Sequence, residues 1–287
     1  MVEIIQKSQK GRRNEVVFLK VLKWPGSKWS MAQKIIEIMP KHNIYLEPFF
    51  GSGAVFFLKA PCNTEILNDL DGEIVNLFRT IRDNPEELAK RIFYTPYSRK
   101  EYKESYERNN KDLDNIEKAR QFLIRSNMAR AGMQYYSSSW RHAGPVLGAK
   151  TKQRVTGDWN KIPEHILEAA VRLKDAEIEN KNAFDLIKKY NRQDCLIYVD
   201  PPYLLSTRRQ RYYNVEMTED QEHLELLELL KNHLGPIILS GYESELYHDI
   251  LKDWKTIKIK TNAEQGKERT EVLWFNFELP QQIGFAI

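Results

Sequence analysis

Cysteine is nearly missing from this chain: Cys62 and Cys195 are the two among 287 residues. One bridge is the most they could form, so a disulfide framework is excluded, and their spacing matches no zinc site. Two reduced, partly buried thiols are the expectation, with no metal. Long apolar runs are also absent, and no stretch approaches the roughly 18 residues that a membrane span needs. Residues 1–20 carry charges and lack the apolar core and small-residue cleavage site of a secretory signal. The cytoplasm is the expected compartment. Acidic residues are missing from one segment. Between Lys118 and Gly157 there is no Asp or Glu, while Lys118, Arg120, Arg125, Arg130, Arg141, Lys150, Lys152 and Arg154 are basic. An ordinary solvated face would mix the two signs. A block of one sign that also holds Tyr135, Tyr136 and Trp140 is the pattern of a surface that follows phosphates.

What is present points to a soluble α/β protein. The composition, 41% hydrophobic and 29% charged, suits one large domain or one domain with an insert. Residues 24–28 form a Pro-Gly loop, and Ala32, Ile35, Ile36 and Met39 follow at helical spacing. A short buried strand at 44–46 runs into Glu47-Pro48-Phe49-Phe50-Gly51-Ser52-Gly53, with a helix expected from Ala54. A second strand at 63–67 ends at Asn68-Asp69, and a helix carrying Ile74, Leu77, Phe78 and Ile81 comes next. Strand, glycine turn, helix, strand, acid is the grammar of a doubly wound sheet. From residue 84 to 160 the pattern changes to polar helices at 85–93 and 111–126, then a Gly/Ser/aromatic stretch of weak periodicity. This reads as an inserted module of 84–160 within a discontinuous domain of 1–83 and 161–287. The sheet pattern resumes with strands at 176–179, 195–199 and 236–240, helices at 183–190, 221–231 and 245–251, and a closing strand pair at 256–260 and 271–277.

The chemistry concentrates where the strand at 195–199 meets Asp200-Pro201-Pro202-Tyr203. A strand that stops at an acid places it at the carboxyl edge of the sheet, where open α/β sheets bind ligands. The two prolines lack backbone donors and stiffen the loop, leaving their carbonyls to accept. A carboxylate beside a rigid carbonyl offers two acceptors in fixed geometry, suited to the two hydrogens of an NH₂ group, and Tyr203 adds a flat face for stacking. In the glycine turn, Gly51 and Gly53 permit positive φ and close approach of a ligand to the backbone. Their spacing departs from G-x-G-x-x-G, which disfavours a dinucleotide. Asp69, just past the second strand, is placed to accept from ribose hydroxyls. Arg208, Arg209 and Arg211, with Tyr212 and Tyr213, follow the catalytic loop and could clamp a nucleic-acid strand or simply be solvated.

These pieces resemble, in order and over nearly the whole chain, the Dam-like adenine-specific DNA methyltransferases. The matching segments are residues 23–28, 47–53, Asp69, 200–203, Leu239-Ser240-Gly241-Tyr242 and 269–274. The resemblance implies a Rossmann-like class I methyltransferase sheet with a mostly helical target-recognition domain inserted before the catalytic motif. It implies S-adenosylmethionine as donor, leaving S-adenosylhomocysteine, and double-stranded DNA as partner of a protein that works as a monomer, a dimer being the alternative. Trp24, Lys28, Phe49, Gly51, Gly53 and Asp69 would contact the cofactor, Lys28 near its methionyl carboxylate. Asp200 and the Pro201 carbonyl would bind the adenine amine under a stacked Tyr203, with Asp200 also facing the cofactor. Where relatives carry an acid for the cofactor's adenine, this chain has Asn182, with Asp185 three residues on. Arg125, Arg130, Arg141, Arg208 and Arg209 are the expected DNA contacts. A base inside a duplex must be flipped out to reach such a site. Methylation of cytosine N4 in DNA, or of adenine in RNA, is the alternative; Asp at position 200, where cytosine enzymes tend to carry Ser and RNA or protein-amide enzymes Asn, favours adenine in DNA.

Overall fold

In the computed structural model, the described residues are 19–107, 112–130, 139–142, 148–207, 213–262 and 268–279, without the side chains of 148–154, 261–262 and 268–269. Seven strands form one sheet in the order β3-β2-β1-β4-β5-β7-β6. They are β1 (Ile44–Glu47), β2 (Thr64–Asn68), β3 (Glu177–Glu179), β4 (Cys195–Val199), β5 (Ile237–Gly241), β6 (Lys255–Asn262) and β7 (Glu268–Phe275). The first five are parallel, and β7 runs antiparallel to both β5 and β6. All five residues of β4 and of β5 are buried. A parallel strand covered on both faces has no solvent side, so its sequence is apolar throughout.

Alternate residues feed two cores, one on each face, as the twofold period of a strand requires. Tyr45, Leu67, Leu196, Tyr198 and Ile238 point to one side. There they meet α1 (Ala32–Glu37), α2 (Ala54–Leu58), α3 (Gly72–Asp83), α4 (Pro85–Phe93), α5 (Arg99–Glu104), α6 (Asn115–Met128) and α7 (Gly148–Leu173). Leu46, Ile66, Ile197, Val199 and Leu239 point to the other, under α8 (Ala183–Lys189), α9 (Asp220–Lys231) and α10 (Glu245–Ile250). Local sequence starts these helices: Asp71, Ser98, Asp114, Asn182 and Ser244 each accept a backbone N–H in the first turn.

Two features differ from the sequence expectation. Helix α7 spans 26 residues where weak periodicity was read, and it runs through residue 160 without a break although it contains Pro163. Gly148, Gly157 and Pro163 are breaking signals locally. Burial of Trp159, Ile162 and Ile166 overrides them. The helices of 84–160 also share the sheet's core, with Leu88, Phe122 and Trp159 in the same cluster as Tyr45 and Tyr198. At the far end of α7, Arg172 makes a two-pronged contact with Glu65, which also takes Lys59, and the guanidinium lies 3.8 Å from the centre of the Phe56 ring. Both cysteines are thiols, Cys62 half-buried and Cys195 buried. Among the described residues no helix is long and apolar enough to cross a membrane.

Candidate active site

A cleft of about 1050 Å³, counted out to its solvent mouth, opens at the carboxyl ends of β1, β2 and β4. The direction of the strand order reverses between β1 and β4, and a crevice at that point follows from helices leaving the sheet on opposite faces. Its walls include Trp24, Lys28, Phe49, Gly51, Asp69, Asn182 and Asp200, residues that lie far apart in the chain.

The turn after β1 is built by its glycines. Gly51 has φ +49°, and a Cβ there would sit 3.2 Å from the Trp24 indole. Its N–H donates to Asp69 Oδ2 at 2.9 Å, which ties the turn to the end of β2. Asp69 Oδ1 accepts from the Asp71 N–H at 2.9 Å. Burial outweighs these donors and pushes the Asp69 carboxyl up to about 7. Gly53 is placed differently from the expectation. It caps α2 at φ +66° behind the cleft, where Phe50 and Phe57 fill the space a Cβ would need. Phe49 and Phe50 both border the cleft, and the Phe50 ring packs edge-on against Phe78 at 4.8 Å on its core side. Asn68 braces the floor: its amide donates to the Pro48 and Lys181 carbonyls and its Oδ1 accepts from the Lys181 N–H. Asn182 caps α8 by accepting from the Phe184 N–H at 2.8 Å, which uses one lone pair of its oxygen and leaves the other and its NH₂ at the cleft wall.

Asp200 sits in a dense network. Its Oδ1 accepts from Ser240 Oγ at 2.7 Å and from the Tyr203 hydroxyl at 3.2 Å. The Tyr198 hydroxyl lies 3.2 Å from Ser240 Oγ. Oδ2 faces Lys28 Nζ at 3.0 Å. Lys28 is buried and also reaches Glu271 Oε2 at 3.6 Å and the Gly26 carbonyl at 2.7 Å. The Gly26 and Asp200 contacts are at hydrogen-bond distance, and Glu271 at 3.6 Å is an ion pair without one. Burial alone would lower the Lys28 pKa, but Asp200 and then Glu271 outweigh it and the net shift is upward. The expected reach of Lys28 to a cofactor carboxylate therefore competes with three partners already in place. Tyr203 donates toward Glu271 Oε2 at 3.1 Å and packs edge-on against Tyr242 at 4.7 Å. Pro201 is buried and Pro202 borders the cleft.

Several residues of the site were given no role on sequence grounds. Ser240 and Glu271 belong to segments that carried the resemblance, but strand positions cannot be aimed without knowing the sheet order. Glu47 ends β1 inside the cleft, with the Tyr45 hydroxyl donating to it at 2.8 Å. Burial, reinforced by the Asp200 charge and opposed by Tyr45, pushes its carboxyl up to about 8. Tyr213, grouped with the arginines after the catalytic loop, stacks on Trp24 at 5.9 Å and lines the cleft instead. Arg208 and Arg209, with Arg211 and Tyr212, lie outside the described residues.

The acid-free block divides in two. Arg125 does not present an open cation: its side chain is 12% exposed, pairs with Glu73 and donates to the Ser105 carbonyl at 2.7 Å. Arg120 is likewise held by Glu117 and Glu101. Arg130 and Arg141 instead flank the antiparallel bridge between Ala129 and Trp140, on opposite sides of it. Arg130 is exposed, and Arg141 contacts Asp158 at 3.5 Å.

Comparison with known proteins places the chain in a family. The Type II methyltransferase M1.LlaDCHI of Lactococcus lactis subsp. cremoris is 25% identical over 287 residues, 93% of this chain and 98% of that protein. The DNA adenine methylase of Escherichia coli K12 is 27% identical over 245 residues, 78% of this chain and 81% of that one. Among solved structures, an rRNA methyltransferase from Streptomyces viridochromogenes covers 92% of this chain and 94% of its own at 14% identity and TM-score 0.41, too loose a likeness to interpret. A family model matches residues 24–265. The chain belongs to the D12 class of N6 adenine-specific DNA methyltransferases.

Proposed function

We propose that this chain takes S-adenosylmethionine into the β1–β4 cleft and methylates the N6 amine of an adenine flipped out of double-stranded DNA at a specific sequence. The observation that carries the reading is Asp200, an acid at the tip of a buried strand with one acceptor site still open. Oδ1 accepts from Ser240 and shares the single Tyr203 proton with Glu271, Oδ2 faces Lys28, and a carboxylate has about four lone-pair sites. One amine hydrogen then goes to Oδ2 and the other to the Pro201 carbonyl.

The cleft fits the cofactor by its contents. The bare backbone of Gly51 leaves a shelf beside the Trp24 indole, Asp69 offers a carboxyl at the ribose position, and Asn182 offers an amide for the purine. Bound there, S-adenosylmethionine supplies an electrophilic methyl group on a sulfonium. The amine lone pair of adenine is delocalised into the ring and is a poor nucleophile. Acceptors at Asp200 and Pro201 draw its hydrogens out of plane and stabilise the positive charge that develops on nitrogen, which is discharged when the surplus N–H proton is lost to water. Ser240 and Tyr203 hold Asp200 in place for this, and no covalent enzyme intermediate is required. Residues 84–160 act as the target-recognition region, with Arg130 and Arg141 on the DNA, in the cytoplasm and as a monomer.

Nucleoside mass spectrometry of DNA and RNA after incubation with the protein tests the reading. N6-methyl-2′-deoxyadenosine from DNA is the expected product, and Asp200→Asn should abolish it while S-adenosylmethionine still binds. N4-methylcytosine, product confined to RNA, or near-normal turnover in Asp200→Asn would overturn it.

A further inference from the structure

We infer that Glu271 is a positioning residue for methyl transfer: it shares Lys28 and Tyr203 with Asp200, and so keeps Asp200 open to the amine and the site net negative. The inference rests on the reading of Asp200 given above. Glu271 stands on β7, two strands from β4, paired with Ile259 of the edge strand β6. Its side chain is 12% exposed, and Oε2 meets both Lys28 Nζ at 3.6 Å and the Tyr203 hydroxyl at 3.1 Å. The same two donors contact Asp200, at 3.0 and 3.2 Å. Among the described residues, the side-chain donors at Asp200 other than Ser240 are thus divided between two carboxylates.

Two consequences follow from counting. Remove the Glu271 carboxylate, and the Tyr203 proton and the Lys28 charge that it shares both go to Asp200, which is then held more tightly by protein donors before adenine arrives. The formal charge of Lys28, Asp200 and Glu271 together is −1; without Glu271 it is zero, and Lys28 cancels the anion that should face the developing cation. A residue that merely neutralised a buried lysine would affect folding and leave the chemical step alone.

Single-turnover methyl transfer at saturating DNA and S-adenosylmethionine separates the two. Glu271→Gln should slow the step about a hundredfold, the size of losing one preorganised electrostatic contact. Binding of the cofactor, followed by tryptophan fluorescence, and of DNA, by anisotropy, should change less than about threefold. Glu271→Asp should recover most of the rate. The double variant Lys28→Gln/Glu271→Gln should be faster than Glu271→Gln alone, because it returns Asp200 as an uncancelled anion. A Glu271→Gln rate close to that of the unaltered protein, or a double variant no faster than the single, overturns the inference. Should Glu271→Gln fail to fold, the charge-balanced double and Glu271→Asp carry the same comparison. An active Asp200→Asn would instead remove the reading of Asp200 itself, whereas an inactive Asp200→Asn with a normal Glu271→Gln would remove this inference alone.

Discussion

Burial lifts the Asp69 carboxyl to about 7, although the Asp71 and Gly51 N–H groups both favour its ionised form. In the proposed reading a ribose hydroxyl donates to Asp69, so the carboxylate is the form that receives it. Ionisation then gates cofactor affinity, with an apparent Kd equal to the intrinsic one divided by the ionised fraction. At pH 6 that fraction is about one tenth and at pH 8 about nine tenths, so binding of S-adenosylmethionine should tighten about tenfold between them. The sign is opposite for the ligand-free fold. A carboxyl raised in the native state holds its proton more tightly folded than unfolded, so this group's contribution to stability falls as pH rises from about 4 to 7. The assay is a fluorescence or calorimetric titration of cofactor across pH 5.5 to 8.5. Glu47 lies in the same cleft and is raised to about 8, so the series is repeated in Glu47→Gln to isolate the lower transition. Asp69→Asn should flatten the profile. A level profile in the unaltered protein, or a slope that survives Asp69→Asn, would refute the reasoning.

Other perturbations have equally definite outcomes. Gly53→Ala forces a left-handed φ of +66° on alanine and puts a Cβ 2.4 Å from Phe50, a core ring. Left-handed strain and overpacking together should cost about 2–5 kcal/mol in urea unfolding, and a loss under about 1 kcal/mol would contradict the packing. Glu65→Gln breaks the buried contact with Lys59 and Arg172 and should cost about 3–5 kcal/mol, measured the same way, with a neutral result counting against the triad. Ser240→Ala removes the 2.7 Å donor to Asp200. A charge-assisted bond of about 1.5–3 kcal/mol predicts a kcat drop of about ten- to a hundredfold with cofactor Kd unchanged, and an unaltered kcat would remove Ser240 from the site.

Much of the site was legible because its parts are short and local. A turn that needs Gly51 and a strand ended by Asp200-Pro201-Pro202 leave marks within a few residues. The buried strands β4 and β5 announce themselves as continuous apolar runs. Helix α7 did not, because Gly148, Gly157 and Pro163 interrupt its pattern and its stability comes from packing Trp159 and Ile166 against the sheet. The charge of 118–157 misled in part for a related reason. Acids missing from the segment are supplied to it across space, by Glu101 to Arg120 and by Glu73 to Arg125.

By itself, then, the sequence determined the sheet's strands, the ligand edge and the acid that stands there, all properties of local pattern. Charge and coordination were decided only by the tertiary structure. The order β4-β5-β7 sets Asp200, Ser240 and Glu271 side by side although they are up to 71 positions apart, and it drops Lys28 between the two carboxylates. Distance in the chain says nothing about distance across a sheet, and at these contacts a few ångströms separate an open acceptor from a neutralised one.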